Sequence, residues 1–96
     1  MIRLEPQQCA LLKKSILSLL PDAAVYLFGS QVDPMRKGGD IDILVLAERR
    51  LTWVEVAQIR FEFESHFGEQ KLDIVSMRVQ DEDPFKTSIL DKAVLL

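Results

Sequence analysis

The chain lacks the features that mark secreted and membrane-spanning proteins. It has a single cysteine, Cys9, which cannot form an internal disulfide and is expected to be a small core residue. Its apolar runs are short and interrupted by charges, well below the roughly 20 residues that span a bilayer. The first residues lack the basic region and apolar stretch of a signal peptide. We therefore expect a cytoplasmic protein with no membrane span.

Positive charge is also scarce. The formal net charge is −3, the sequence pI is about 5.1, and no long basic run occurs, which argues against binding to a nucleic-acid backbone. With one histidine and one cysteine, the chain has no His or Cys cluster that would indicate zinc. An anionic ligand would have to be bound locally, with the help of a hard metal ion.

The chain does have the size and composition of one globular domain, predicted to span residues 1–96. It is 48% hydrophobic and 28% charged, near the average for such domains. Apolar periodicity and turn residues predict six elements and an apolar tail. They are a helix at 6–20, a strand at 24–28, a strand at 40–46, a helix at 52–68, a strand at 71–77, a short helix at 83–92 and the tail at 93–96.

Two carboxylates begin the second predicted strand. Asp40 and Asp42 lie two residues apart, so their side chains project from one face of the strand and can share a cation. Magnesium is commonly bound by one or two carboxylates together with waters and substrate phosphates. Asp73, in the third predicted strand, is the candidate third carboxylate of a two-metal site. The alternatives are a solvated strand end and a surface ion pair of Asp73 with Lys71 or Arg78.

Gly29 and Ser30 follow the first predicted strand directly. A residue without a side chain lets backbone N–H groups approach a phosphate, and the serine hydroxyl adds a donor. An ordinary turn explains the same dipeptide. Its position directly after a buried strand is what favours the phosphate-binding interpretation.

The order of these motifs resembles that of the minimal nucleotidyltransferases of the DNA polymerase β-like nucleotidyltransferase superfamily. The matching segments are 27–30 (Leu-Phe-Gly-Ser), 38–45 (Gly-Gly-Asp-Ile-Asp-Ile-Leu-Val) and 71–75 (Lys-Leu-Asp-Ile-Val). The resemblance implies an α/β (α+β) fold: a small mixed sheet of three to four strands with helices packed mainly on one face. It also implies metal-dependent transfer of a nucleoside monophosphate, AMP from ATP or another nucleotide from its triphosphate, to a hydroxyl.

The resemblance assigns roles to seven residues. The catalytic and metal-binding set, for two Mg²⁺ ions or for Mn²⁺, is Asp40, Asp42 and Asp73; the nucleotide-binding set is Gly29, Ser30, Lys37 and Gly39. Asp73 would position or deprotonate the acceptor. Many relatives carry arginine and serine or threonine where this chain has Gln31 and Gly39, and Arg36 or Lys37 could supply the missing positive charge.

The resemblance further implies a partner. Minimal members of the superfamily are antitoxins of helical HEPN-domain toxins, and similar antitoxins modify a toxin tyrosine with AMP. A HEPN toxin-like protein is thus the expected partner and acceptor, and self-association stays open. The alternatives are a catalytically inactive module that neutralises its partner by binding and, third, transfer to a small molecule or an RNA end. Val54 and Phe61 lie off the main apolar stripe of their helix and belong either to the core or to a partner surface.

Overall fold

The computed structural model describes residues 4–29 and 40–96, and within them it confirms every predicted helix and strand. In chain order the elements are α1 (Pro6–Leu19), β1 (Ala24–Phe28), β2 (Ile41–Ala47), α2 (Trp53–Phe67), β3 (Leu72–Arg78), α3 (Pro84–Leu90) and β4 (Val94–Leu95). The loop predicted between the first two strands, which includes Ser30, Lys37 and Gly39, lies outside the described residues.

Local side-chain chemistry determines where α2 begins and ends. The Thr52 hydroxyl accepts the Glu55 N–H at 3.1 Å, and the Glu55 carboxylate accepts the Thr52 N–H at 2.8 Å. This reciprocal capping satisfies two amide groups that the first turn would otherwise leave unpaired. The helix ends at Gly68, whose φ of 81° is accessible to glycine and strained for other residues. Because α2 connects β2 to β3, these caps also determine where β3 can begin.

The four strands form one mixed sheet in the order β3-β2-β1-β4. The β1 strand pairs antiparallel with both β2 and β4, while β2 and β3 are parallel neighbours joined by α2. A parallel pair needs a long crossover connection, and α2 provides it. The structure therefore confirms the predicted small mixed sheet, which has four strands.

Several element boundaries differ from the sequence prediction by one or two residues. Both β2 and β3 begin and end one residue later than predicted, and α3 ends at Leu90 rather than near residue 92. The apolar tail, predicted without regular structure, contains β4, in which Val94 and Leu95 pair with Leu27 and Tyr26 of β1. A two-residue strand is too short to produce an alternating pattern, so only the pairing reveals it.

The sheet has a core on each face. On one face, α1 and α2 cover a cluster that includes Ile16, Ile59 and Phe63, all at most 2% exposed. On the other face, Ile89 of α3 forms a smaller cluster with Leu44, Leu46 and Met77. Two of the three helices thus share one face, as the fold expectation stated.

Two of the remaining expectations concern single residues. Cys9 is half-buried and packs against the larger core, as predicted. Val54 and Phe61 are 44% and 72% exposed, so the core interpretation of these side chains is wrong. None of the described helices is both long and apolar enough to cross a membrane.

Candidate active site

Three strand ends meet at one edge of the sheet. Because β2 and β3 are parallel, they begin at the same edge, and the antiparallel β1 ends there. Asp42 lies directly opposite Asp73 on one side and opposite Phe28, which precedes Gly29, on the other. The topology therefore brings together Gly29, Asp42 and Asp73, which are up to 44 positions apart in the sequence.

Asp42 and Asp73 form a close carboxyl pair. Both side chains are half-buried, and the two residues lie directly opposite each other in the β2–β3 pair. Burial raises the pKa of Asp42 above its ordinary value, the negative charges of Asp73 and Asp40 raise it further, and Lys71 partly opposes the increase. Two neighbouring carboxylates repel each other when both are ionised, and a cation bound between them would relieve that repulsion.

Asp40 has a different environment. Its Oδ2 lies 3.7 Å from Lys71 Nζ, and the two side chains are 49% and 67% exposed. An exposed pair at this distance is weak, so each group can exchange it for another partner at little cost. Among the described residues, no group of three or more His, Cys, Asp or Glu side chains is arranged to hold a metal ion. The strand register thus brings Asp42 and Asp73 together. Asp40 is not positioned to bind a metal ion together with them in this structure.

The alternative ion pairs predicted for Asp73 are formed by other carboxylates. Lys71 is paired with Asp40, and Arg78 binds Asp81 at 3.0 Å. Asp81 also accepts the Arg78 backbone N–H and pairs with Arg50, and these interactions hold the pKa of Asp81 at about 2. Arg78 thus belongs to a cluster around Asp81, near the other end of β3.

Gly29 is required where β1 ends. Its φ is 76°, and a Cβ added to it would overlap Oδ2 of Asp42. The Asp42 carboxylate therefore lies directly against the Gly29 backbone, in space that any other residue would occupy. Gly29 leaves that space free and tolerates the left-handed conformation.

The donor set of the carboxyl pair suits a hard divalent cation. Asp42 and Asp73 supply oxygen ligands only, as magnesium and manganese prefer. A divalent cation between them would remove the repulsion that raises the pKa of Asp42. With two protein carboxylates, most remaining ligands would come from water and substrate, which is the usual arrangement for magnesium-nucleotide sites.

Sequence reasoning missed the structural roles of Lys71 and Arg60. Lys71 precedes Asp73 by two residues, and strand alternation alone places it beside the carboxylates. Arg60 of α2 donates from Nε and Nη2 to the Leu72 carbonyl, at 3.1 and 3.0 Å. That carbonyl lies on the outer side of an edge strand, immediately before Asp73, and no pattern in the sequence indicates the contact. A cavity of about 370 Å³, lined by Arg60, Lys71 and Asp73 among others, lies between α2 and the start of β3.

The remaining predicted site residues, Ser30, Lys37 and Gly39, lie outside the described part of the chain, as does Gln31. Of the nucleotide-binding set, Gly29 alone lies inside it. The described site accordingly consists of the carboxylates, Gly29, Lys71 and the Arg60 contact.

Comparison with solved structures identifies proteins of the same fold. A crystal structure of a toxin–antitoxin MntA–HpeT mutant has a TM-score of 0.62 and 23% identity, over 94% of this chain and 68% of that one. The tri-AMPylated Shewanella oneidensis HEPN toxin in complex with MNT antitoxin gives a TM-score of 0.56 and 23% identity, over 92% and 70%. A toxin–antitoxin structure with AMP-PNP gives 0.68 and 20%, over 96% and 72%. At these identities the likeness establishes the fold.

Comparison at the sequence level establishes the family. No curated protein matches the chain. The family model described as "Polymerase beta, Nucleotidyltransferase" matches residues 14–96, which is most of the chain and includes all the carboxylates described above. The chain therefore belongs to the polymerase β nucleotidyltransferase family.

Proposed function

We propose that this protein transfers a nucleoside monophosphate, AMP from ATP, to a hydroxyl group of a partner protein, and that the partner is a HEPN-domain toxin neutralised by the modification. The proposal requires a divalent metal ion, magnesium or manganese. One observation carries it: the Asp42–Asp73 pair lies at the sheet edge where β1 ends in Gly29.

The metal requirement follows from the charge of the site. Asp42 and Asp73 would hold a divalent cation, with Asp40 as a further ligand once it leaves Lys71. When bound, the cation would polarise the phosphates and offset negative charge on the nucleotide. A second ion is part of the proposal, since three carboxylates are available at this edge.

The chain's own residues account for the positions of the reacting groups. The acceptor oxygen bonds to the α-phosphorus of the nucleotide, the bond from that phosphorus to the bridging oxygen breaks, and pyrophosphate leaves. The acceptor's proton passes to the Asp73 carboxylate, which lies on the edge strand β3 and is partly exposed. Gly29 leaves room for the Asp42 carboxylate at the end of β1. Ser30, Gly39 and Lys37 are proposed to bind the phosphates.

The partner assignment is supported by the solved structures that share the fold. Among them are an MNT antitoxin in complex with an AMPylated HEPN toxin and a toxin–antitoxin structure with AMP-PNP. These observations belong to those proteins and are extended to this chain as a proposal. The acidic balance of the chain, with a net charge of −3, fits a protein partner better than a nucleic acid.

A transfer assay tests the proposal. The protein is incubated with ATP labelled in the α-phosphate, magnesium and a purified HEPN-domain protein as the proposed partner. We expect label on the HEPN protein, none with EDTA, and a loss of several orders of magnitude with Asp42→Asn. If the wild-type protein transfers no more label than Asp42→Asn does, the proposal is wrong.

A second candidate function is a binding module that neutralises its partner without catalysis. The exposed apolar side of α2, where Trp53 is 82% and Phe61 72% exposed, favours it because such a surface binds without any chemistry. In this case Asp40→Asn would still neutralise the toxin, whereas Phe61→Asp would not. The enzyme proposal predicts that Asp40→Asn loses neutralisation.

A further inference from the structure

The α2 helix is apolar on two opposite sides. Its inward side carries Ile59 and Phe63, which are 2% and 1% exposed. Its opposite side carries what we term the outer face of α2: Trp53, Val54, Ala57 and Phe61. Three of these four side chains are large, apolar and between 44% and 82% exposed. No other described helix carries three exposed large apolar side chains on one side.

The outer face of α2 has the shape of a docking groove. Its four residues line an apolar depression of about 680 Å³, whose remaining lining is Gln58, Glu62 and Ser65. Their spacing of one, four and eight positions keeps them on one side of the helix. A contiguous exposed patch of this kind with a polar rim commonly marks a protein interaction site, and an elongated one accepts the apolar stripe of another helix.

The rim of the groove carries one charged side chain, and that side chain is acidic. Glu62 is its charged residue, and the hydrogen bond of Glu62 within the chain comes from the neutral hydroxyl of Ser15, at 3.1 Å. No ion pair of Glu62 occurs among the described residues. Trp53, at the other end of the groove, offers an aromatic face that attracts cations. A ligand with basic groups flanking an apolar stripe would therefore match the groove in both shape and charge.

A second copy of the chain matches this rim poorly. If two α2 helices packed antiparallel about Ala57, the cations nearest the other copy's Glu62 would be those preceding the helix, Arg49 and Arg50. Arg49 already binds Glu55 at 2.8 Å, and Arg50 binds Asp81 at 2.9 Å. Both would have to leave an existing ion pair, so self-association gains little from charge.

We propose that the outer face of α2 is the docking surface for an amphipathic helix with lysine or arginine flanking its apolar stripe, contributed by the partner protein. The identity of that partner as the HEPN-domain protein rests on the proposed function; the surface and its chemistry do not. Trp53 and Phe61 are the anchors of the interface, and Glu62 supplies the charge that selects a basic helix.

Docking at this surface leaves the carboxylate pair accessible. Asp42 and Asp73 share a sheet face with Leu44 and Met77, the face that α3 covers, whereas α2 covers the opposite face. A helix bound to the outer face of α2 is thus separated from the carboxylates by α2 and the sheet. A partner held there can remain bound while nucleotide enters the site.

Two probes test the surface. The first is a purified HEPN-domain protein, the proposed partner. The second is a synthetic amphipathic helix with a leucine stripe flanked by lysines, and a glutamate-flanked version is its control. Trp53 is the chain's single tryptophan, so a blue shift of its fluorescence reports docking directly. We expect the shift with the HEPN protein and with the lysine-flanked peptide, and none with the glutamate-flanked one.

Variants locate the contact. Phe61→Asp should weaken binding of both probes at least tenfold, and Glu62→Lys should weaken binding of the lysine-flanked peptide. Phe85→Asp is the matched control, because Phe85 is a phenylalanine of α3 that is 52% exposed, and it should change binding less than twofold. The folded state of each variant is checked by its urea unfolding midpoint.

The outcomes separate this proposal from the proposed enzymatic function. If Phe61→Asp abolishes binding while the wild type transfers no label, the docking surface stands and the enzymatic proposal falls. If Phe61→Asp binds both probes as tightly as the wild type, the docking proposal is overturned whether or not label is transferred. It is also overturned if the wild type is a dimer that Phe61→Asp converts to a monomer, because the occupant would then be a second copy.

Discussion

Single residues at the sheet edge show how closely the backbone and the carboxylates are fitted together. Gly29 and Gly68 are the two described residues with positive φ, at 76° and 81°. A Cβ at Gly29 would strike the Asp42 carboxylate, whereas a Cβ at Gly68 would meet nothing within 4 Å. Substituting each glycine by alanine therefore separates two effects. Both substitutions would strain the backbone, but only the one at Gly29 would also create a steric clash.

This contrast gives the first prediction. Gly68→Ala should lower the free energy of unfolding by roughly 1–3 kcal/mol through backbone strain, and Gly29→Ala by more. In an Asp42→Ala background, the extra cost of Gly29→Ala should shrink, since the colliding carboxyl atoms are gone. Urea unfolding of the wild type and these four variants measures the differences. Equal costs for the two glycine variants would show that the Asp42 carboxylate does not lie against Gly29.

A second residue-scale prediction concerns Asp42 in metal-free protein. Its pKa is raised in the folded state, mainly by burial and then by Asp73 and Asp40. Its ionisation therefore opposes folding, and the stability it contributes at low pH is lost as the pH rises through the folded-state pKa. In EDTA, Asp42→Asn should be more stable than the wild type at neutral pH, and the difference should vanish in acid. A difference that is independent of pH would contradict this prediction.

Magnesium supplies the matched measurement for the same variant. Added magnesium should stabilise the wild type and have little effect on Asp42→Asn, because a ligand that binds only the folded state shifts its stability by mass action. The thermal unfolding midpoint at several magnesium concentrations checks this. The result does not depend on catalysis, so it tests the metal site separately from the transfer reaction.

The orientation of α2 determines which of its side chains are exposed. Phe61 and Phe63 lie two positions apart on α2, and their exposures are 72% and 1%. Phe63→Ala should cost roughly 3–5 kcal/mol of unfolding free energy, while Phe61→Ala should stay within about 0.5 kcal/mol. Chemical denaturation of both variants measures the difference. Comparable losses would mean that α2 is rotated from the orientation described here.

The contact between α2 and β3 gives another prediction at this scale. Arg60 donates two hydrogen bonds to the Leu72 carbonyl and thereby holds the start of the edge strand that carries Asp73. Arg60→Met should loosen that end of β3, lowering kcat for transfer more than it raises KM for the nucleotide. Arg60→Lys should restore part of the loss. If Arg60→Met lowers stability and leaves kcat unchanged, Arg60 supports the fold without positioning Asp73.

At the scale of the whole molecule, the sequence predicts the helices and strands well. It predicts only in part how they bring the site residues together. Strand alternation puts Asp40 and Asp42 on one face, and the resemblance of the segment at 71–75 pointed to Asp73 as the third carboxylate. The parallel register that sets Asp42 opposite Asp73 depends on the crossover through α2, which no local pattern encodes. The Lys71–Asp40 pair and the Arg60 contact depend on side-chain positions in the folded protein. The two-residue β4 has too little sequence to give a signal.

The two proposed sites lie on opposite sides of the sheet. The carboxylates lie on the face that α3 covers, and the proposed docking surface lies on the outside of the helix that covers the other face. A chain of 96 residues could in this way hold a partner and still admit nucleotide to its carboxylate edge. The separation predicts that variants at one location leave the other intact: Asp42→Asn should retain the partner complex, measured by its dissociation constant.

The most direct test of the proposed function is transfer of the label from α-labelled ATP to a purified HEPN-domain protein, the proposed partner, in magnesium, by the wild type and by Asp42→Asn. We expect labelled HEPN protein with the wild type and essentially none with the variant, although the variant still binds its partner. Label that appears equally with both proteins, or with neither, would contradict it.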